Sequence, residues 1–321
     1  MSKLVSVILP IYNREEYIEE SLNSALSQSY QNFEIVIVDD GSTDSSYEIC
    51  EKYAQKDKRI RLFKNSHQGV SEARNTAIDN AKGDYVFFLD SDDVIHPELL
   101  NNLVNAVCQT GAKIAGTSVF SILEEKWDTV REVIEADNKE AIVEYKEFSE
   151  ALSIMLSGGS PINLAGGTML EKALIADTRF RKDLFIAEDF YFVYENLIKG
   201  ANVAYIKPQR YYNRIHSKNS SWVYDFSGFF TRFERRRLVW QNEAKCGRME
   251  NSYKQRKAAF ATFSQCAGKH KKADSEVLKM AEVLRKYKKE ILEALPFKSK
   301  IFFYLYAFMP FTYFWIKNIK K

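Results

Sequence analysis

The sequence predicts an α/β fold with a mostly parallel central sheet flanked by helices, followed by a helical C-terminal extension. Three observations predict it. Residues 1–110 alternate short apolar, β-branched runs with amphipathic stretches four times, the pattern of a parallel sheet covered by helices on both faces. Polar clusters fall at or just past the carboxyl end of these runs, where ligands of such sheets bind. From about Asp225 the strand signals stop and dense basic sequence of helical character takes over.

Val5-Ser6-Val7-Ile8-Leu9 is the first strand signal. Pro10-Ile11-Tyr12-Asn13 follows, and then a helix with Ile18, Leu22, Ala25 and Leu26 on one face. Asn13 suits its N-cap, with Glu15 and Glu16 in the first turn. Phe33–Val38 is a second buried strand, ending in Asp39-Asp40-Gly41-Ser42-Thr43-Asp44 ahead of a helix carrying Tyr47, Ile49, Cys50 and Tyr53. Ile60–Phe63 is a third strand. It leads into Asn65-Ser66-His67-Gln68-Gly69 and a helix over Ser71–Ala81 with Arg74 in its first turn. The fourth strand ends in Phe88-Leu89-Asp90-Ser91-Asp92-Asp93. Pro97 opens a helix through Leu99, Leu100, Leu103 and Val107, which Gly111 ends.

Asp-x-Asp on a strand end is a hard-oxygen site suited to Mg²⁺ or Mn²⁺. A solvated acidic turn capping the next helix has the same spacing, with Asp93 serving as that cap. Neither G-x-G-x-x-G after the first strand nor G-x-x-x-x-G-K-[ST] occurs. A nucleotide here would be held through metal and side chains. Two later clusters carry chemistry. In Ala187-Glu188-Asp189-Phe190 an acidic pair opens an aromatic helix ending near Gly200; dipole complementarity alone would favour acids there. Tyr211-Tyr212-Asn213-Arg214-Ile215-His216-Ser217-Lys218 follows a strand over Val203–Ile206. Ala165-Gly166-Gly167-Thr168 reads as a turn before a helix that allows close backbone approach to a ligand.

Val5–Asn13, Val38–Asp44, Gly69–Asn75 and Phe88–Asp93, in that order, resemble glycosyltransferase family 2, inverting enzymes of the GT-A fold that use nucleotide sugars. The resemblance covers about residues 4–215. It implies that Pro10 and Tyr12 line the uracil pocket, that Asp40 accepts a hydrogen bond from the base, and that Arg74 approaches the nucleotide. Asp90, with Ser91 beside it, would contact the ribose. Asp92 would ligate the metal bridging the diphosphate, with Asp93 supporting it from behind or else capping the Pro97 helix, and with His216 as an extra ligand; a loop histidine that is merely exposed is the alternative. Gly166 and Gly167 would lie under the donor sugar, though the aromatic and basic residues of many members are missing there. Arg214 and Lys218 would bind diphosphate. Asp189 would be the general base, supported by Glu188 or with Glu188 touching the acceptor.

The implied function is metal-assisted transfer of a hexose or N-acetylhexosamine from a UDP-sugar to a glycan hydroxyl, with Mn²⁺ or Mg²⁺ as cofactor. A capsule or exopolysaccharide-type, lipid-linked glycan is the expected acceptor. An inverting transfer needs one base and no covalent nucleophile. Two alternatives keep the fold: a degenerate nucleotide-sugar-binding module, and a nucleotidyltransferase-like enzyme that would release pyrophosphate.

The expected domains are a catalytic one over 1–222, with a nucleotide half (1–110) and an acceptor half (111–222), and a helical region over 223–321. At 321 residues and 45% hydrophobic, the chain can bury a core of that size. Its formal net charge of +3 gives no case for nucleic acid. Cys50, Cys108, Cys246 and Cys266 show no C-x-x-C spacing and read as free thiols of a reducing cytoplasm. The first strand starts almost at once, with no room for a signal peptide. Residues 118–145 are polar without a period and are expected to form a hairpin or loop excursion. The segment 297–321 is an apolar, aromatic run flanked by lysines and broken by Pro310. It is short for a spanning helix and reads as an interfacial foot on the cytoplasmic membrane surface; packing on the protein, or on a second copy through the C-terminal helices, is the alternative.

Overall fold

The structure is a computed structural model of the chain. It describes residues 2–157, 162, 165–184, 186–217, 226–267, 270 and 274–310. The chain divides into two compact units, residues 1–219 and 220–321.

The first unit runs β1 (Val5–Ile11), α1 (Ile18–Leu26), β2 (Phe33–Asp39), α2 (Ser46–Lys56), β3 (Ile60–Lys64), α3 (Val70–Asn80), β4 (Tyr85–Phe88), β5 (Val94–Ile95), α4 (Leu99–Thr110), β6 (Ile114–Leu123), a 3₁₀ turn (Glu124–Thr129), α5 (Val130–Ala136), β7 (Ile142–Lys146), α6 (Phe148–Ser157), β8 (Thr168–Glu171), α7 (Lys172–Ile175), α8 (Glu188–Leu197) and β9 (Val203–Ile215). Among the described residues the strands form one sheet, ordered β3-β2-β1-β4-β8-β6-β9-β5, with β7 also on β9. β3, β2, β1 and β4 are parallel. Every residue of β1 and β2 is buried, as strands covered on both faces must be.

The second half of the sheet mixes directions. β8 runs antiparallel to β4 and also to β6, and β9 runs parallel to β6. The two reversals cancel, so β9 points the same way as β4. The carboxyl ends of β1, β2, β4 and β9 therefore share one edge, and this brings His216 back to the acidic end of the fourth strand.

Several local expectations are corrected. Asn13 does not cap α1, which begins at Ile18 without a side-chain cap. Its Oδ1 instead accepts the Thr43 N–H at 2.8 Å, with Asn13 in the left-handed region (φ 51°). It ties together the turns after β1 and β2. The helix after Pro97 starts at Leu99, so Pro97 lies just ahead of its first turn, while Gly111 ends it as expected, in the left-handed conformation. The paired glycines lead into strand β8 and not into a helix. The strand expected over Val203–Ile206 continues to Ile215, so Tyr211–Arg214 are strand residues, held by β6 on one side and β5 on the other. Residues 118–145 are an ordered excursion: the end of β6, the 3₁₀ turn, α5 and the start of β7. Trp127, Val130 and Tyr212 give it a small core of its own.

The second unit contains α9 (Phe226–Lys245), α10 (Met249–Ala267), α11 (Ser275–Lys286), α12 (Lys288–Ala294) and α13 (Phe297–Phe308). Its core is aromatic, with Phe229, Phe233, Trp240, Phe263 and Phe303 all buried. Glu243, also buried, is neutralised by two hydrogen bonds from Arg248 (2.6 and 2.7 Å) and one from Asn251 (2.9 Å). Among the described residues no helix is long and apolar enough to cross a membrane.

Candidate active site

The shared edge carries the predicted residues. After β1, the exposed Tyr12 ring stacks on His67 (centroids 4.3 Å apart). Pro10 is buried within β1. Asp40, only 3% exposed, gives both oxygens to the chain itself: it accepts the Gln68 N–H at 2.8 Å and the Gly69 N–H at 2.7 Å. Gly69 sits at φ 92°, a conformation costly for a side chain. Asp40 and Gly69 thus fix the entry to α3, and with it the position of Arg74 one turn later.

Arg74 joins three elements. Its Nη2 donates to Asp90 Oδ1 at 2.8 Å and its Nη1 to Glu188 Oε1 at 2.7 Å, and its cation lies 5.2 Å from the Phe180 ring centre. Its buried Nε has no hydrogen-bond partner. Burial opposes the Arg74 charge, but the carboxylates of Asp90 and Glu188 outweigh that, and its pKa is raised. Glu188 is pushed the other way. Burial and then the Asp189 charge raise it to about 7, against the pull of Arg74. Ala187 precedes it in the left-handed region (φ 68°), an uncommon place for a side chain, and this turns the acidic pair inward at the start of α8. Asp189 is half-buried and accepts the N–H of Phe190 at 2.6 Å.

Asp92 lies beside this group and is also buried. Its Oδ2 is 3.0 Å from His216 Nε2 and 3.3 Å from Arg14 Nε. Burial alone would raise Asp92, but His216 and Arg14 outweigh it and hold its pKa below the usual carboxylate value. The His216 ring stacks on Tyr17 (5.1 Å, 18°), which fixes its plane. It is a buried histidine, not an exposed loop one.

Asp93 is not a cap for the following helix. Its Oδ1 accepts the Arg214 backbone N–H and the Asn213 amide, both at 3.0 Å. The Tyr211 hydroxyl also donates to it, while accepting the Asp90 N–H at 3.1 Å. Burial, then the charges of Asp92 and Asp90, hold Asp93 well above the usual carboxylate range. Gly166 packs on the same hydroxyl; a Cβ there would sit 2.8 Å from it. Gly167, at φ 78°, donates its N–H to Phe88 O. The glycine pair therefore lies against the end of β4.

The Arg214 guanidinium bonds to Glu20 and lies over the Tyr17 and Trp127 rings, at 4.7 and 4.0 Å. Ser91 is buried in the acidic turn. Lys218 lies outside the described residues. The structure thus gathers Asp90, Asp92, Arg74, Glu188, Asp189 and His216 at one edge. Arg14, Tyr17 and Tyr211 were missed from sequence; Asp93 was read there as either a support for the metal site or a helix cap, and it is the support. Arg14 alone had a signal there, as a cation directly after a strand-end turn; the others meet the site only through tertiary packing.

Over 122 residues the chain is 41% identical to glycosyltransferase GlyA of Streptococcus pneumoniae, a match covering 38% of this chain and 18% of that protein. Over 216 residues it is 29% identical to the putative glycosyltransferase EpsH of Bacillus subtilis, covering 66% of this chain and 61% of that one. The chain thus spans less than two thirds of these relatives. Its fold matches the crystal structure of S. aureus TarS 1–349 with a TM-score of 0.66 at 22% identity, over 91% of this chain and 81% of that one. The same protein in complex with UDP-GlcNAc matches at 0.59, with 22% identity, over 91% of this chain and 79% of that one. Residues 6–177, more than half of the sequence, match the model of glycosyl transferase family 2, and the chain belongs to that family.

Proposed function

We propose that this protein transfers a hexose or N-acetylhexosamine, with inversion, from a UDP-sugar to a glycan hydroxyl. The observation that carries the reading is the buried Arg74, bonded at once to Asp90 and Glu188, beside the Asp92–His216 pair. A cation and four acidic or imidazole groups gathered at the carboxyl edge of the sheet suit a diphosphate and a proton acceptor. The neighbour TarS, crystallised with UDP-GlcNAc, supports a UDP-sugar donor.

The residues fit a divalent cation. Asp92 and His216 offer an oxygen and a nitrogen 3.0 Å apart. Among the described residues no cluster of three or more His, Cys, Asp or Glu is built to hold a metal. Two protein donors suit an ion that takes its remaining ligands from phosphate oxygens. Mn²⁺ or Mg²⁺ held there would offset the charge of the diphosphate.

The chain's own residues do the rest. Arg74 presents a permanent charge where the diphosphate would lie. Arg14, on the same Asp92 oxygen, adds a second cation. Glu188 is pinned by Arg74, which leaves Asp189 as the more accessible carboxylate of the pair. Asp189 takes the proton of the acceptor hydroxyl as that oxygen attacks the anomeric carbon. Attack from the face opposite the departing UDP inverts the configuration.

The test is a thermal-shift and product-release screen of nucleotide sugars with and without Mn²⁺. We expect stabilisation and UDP release with one UDP-sugar, dependent on metal. Asp92→Ala should abolish the metal dependence. Asp189→Asn should lower turnover about 10²–10⁴-fold, the range for loss of a positioned base, while leaving donor binding intact. Pyrophosphate as product would mean nucleotidyl transfer. Undiminished turnover in Asp189→Asn would remove it as the base.

A further inference from the structure

The formal charge of +3 conceals two strongly opposed halves. Residues 220–321 hold 22 Lys and Arg against nine Asp and Glu, a net of +13, whereas residues 1–219 hold 24 against 34, a net of −10. The arginines of the helical unit are largely committed inside it. Arg237 pairs with Glu234, Arg248 with Glu243 and Arg256 with Glu293, and Arg236 bonds to Thr262 and Gln255. The outward charge is left mainly to lysines.

These lysines border an apolar face. α13 packs Phe303, Tyr306 and Ala307 inward. Its other side exposes Phe297 (78%), Ile301 (51%), Phe302 (52%) and Phe308 (47%). Phe297, Ile301 and Phe308 fall on one stripe at helical spacing, with Tyr304 between them. Lys298 is exposed on the same helix, Lys289 on α12, and Lys288 lies 5.1 and 5.4 Å from the Tyr304 and Phe308 rings. No acidic residue follows Glu293, whereas five lysines do.

We infer that this face of α13 docks on an anionic phospholipid surface, lying in the plane of the interface. A 12-residue helix is about 18 Å long, well short of the roughly 30 Å hydrocarbon core. Apolar rings on the outside with lysines along the border are the composition of an interfacial helix: rings enter the headgroup boundary and ammonium groups meet lipid phosphates. A second copy of the chain suits the face less well. A two-fold dimer sets each patch on itself, and here it would bring like lysine borders together. Nucleic acid suits it less well too, because the rows that protrude are aliphatic and aromatic while several arginines of the unit are engaged by partners inside it.

The test is flotation of the full chain with vesicles of phosphatidylcholine alone and of phosphatidylcholine with phosphatidylglycerol. Partitioning, not sugar transfer, is read, so the result is independent of the proposed activity. We expect binding to the anionic vesicles only, weakened at about 1 M salt, where the Debye length is about 3 Å. Lys298→Glu with Lys300→Glu should lower partitioning at least about tenfold. Phe297→Ser with Ile301→Ser should abolish it; both side chains are exposed, so the fold is not put at risk, and an unchanged circular dichroism spectrum would verify that. Equal binding to both vesicles, or to neither, would overturn the inference. So would a dimer in sedimentation that Ile301→Ser dissolves, or binding to a DNA duplex without binding to vesicles.

Discussion

Glu188 carries the least comfortable charge in the site. It is buried, faces one cation and adjoins another carboxylate, and its pKa rises to about 7 from burial first and Asp189 second. A carboxyl whose folded pKa lies above its unfolded value favours the fold when protonated. Its stabilising contribution is complete below about pH 4.5 and is lost as pH climbs through about 7. Glu188→Gln fixes the neutral form. Thermal unfolding of the two proteins should therefore diverge between pH 4.5 and 7 in favour of the variant, by on the order of 3 kcal/mol, and run in parallel above that. A difference that stays constant from pH 4.5 to 7 would show that the fold does not raise the Glu188 pKa. The same titration should appear as an acid limb near pH 7 in kcat/KM, absent from the variant.

At the scale of elements, the seam between β4, the glycine pair and β9 sets the site. The Tyr211 hydroxyl is its pin, touching the Asp90 N–H, Asp93 and Gly166. Gly166→Ala would drive a methyl against that hydroxyl in a fully buried position, at a cost of about 1–3 kcal/mol. Tyr211→Phe removes the hydroxyl and leaves the Asp90 N–H and Asp93 short of a partner, at a similar cost. Because each change alters the room the other needs, the double variant should lose less stability than the sum of the two. Strict additivity in urea unfolding would mean that the seam relaxes around the methyl. This seam was also the least legible part of the sequence. β1, β2 and β4 are continuous apolar runs because helices cover both faces, and such runs announce themselves. β8 has four residues and no period. The carboxyl half of β9 mixes Tyr, Asn and Arg, because it packs between two strands and the polar edge. Asp90, Asp92, Arg74 and Asp189 were visible because they stand at strand and helix ends. Tyr211, and the β9 groups that bond Asp93, reach the site through the two reversals at β8, a fact of topology that local spacing does not carry.

At the scale of the molecule, charge is segregated by unit, with about −10 on residues 1–219 and +13 on residues 220–321. Net charge governs solubility when it is spread evenly; segregated charge also lets one molecule attract the opposite half of another. The range of that attraction is set by salt, falling from about 30 Å at 0.01 M to about 8 Å at 0.15 M. The exposed row on α13 would promote a different association, one that burying apolar surface drives and salt does not weaken. Light scattering separates the two. If opposed halves dominate, the second virial coefficient is negative at about 0.01 M salt and rises towards positive values as salt reaches about 0.15 M. If apolar contact dominates, it stays negative or falls further as salt is added, and Ile301→Ser restores it. We expect the first behaviour in the wild-type chain. Lys298→Glu with Lys300→Glu should bring the low-salt value closer to zero, because it lowers the positive half by four charges while leaving the apolar row in place.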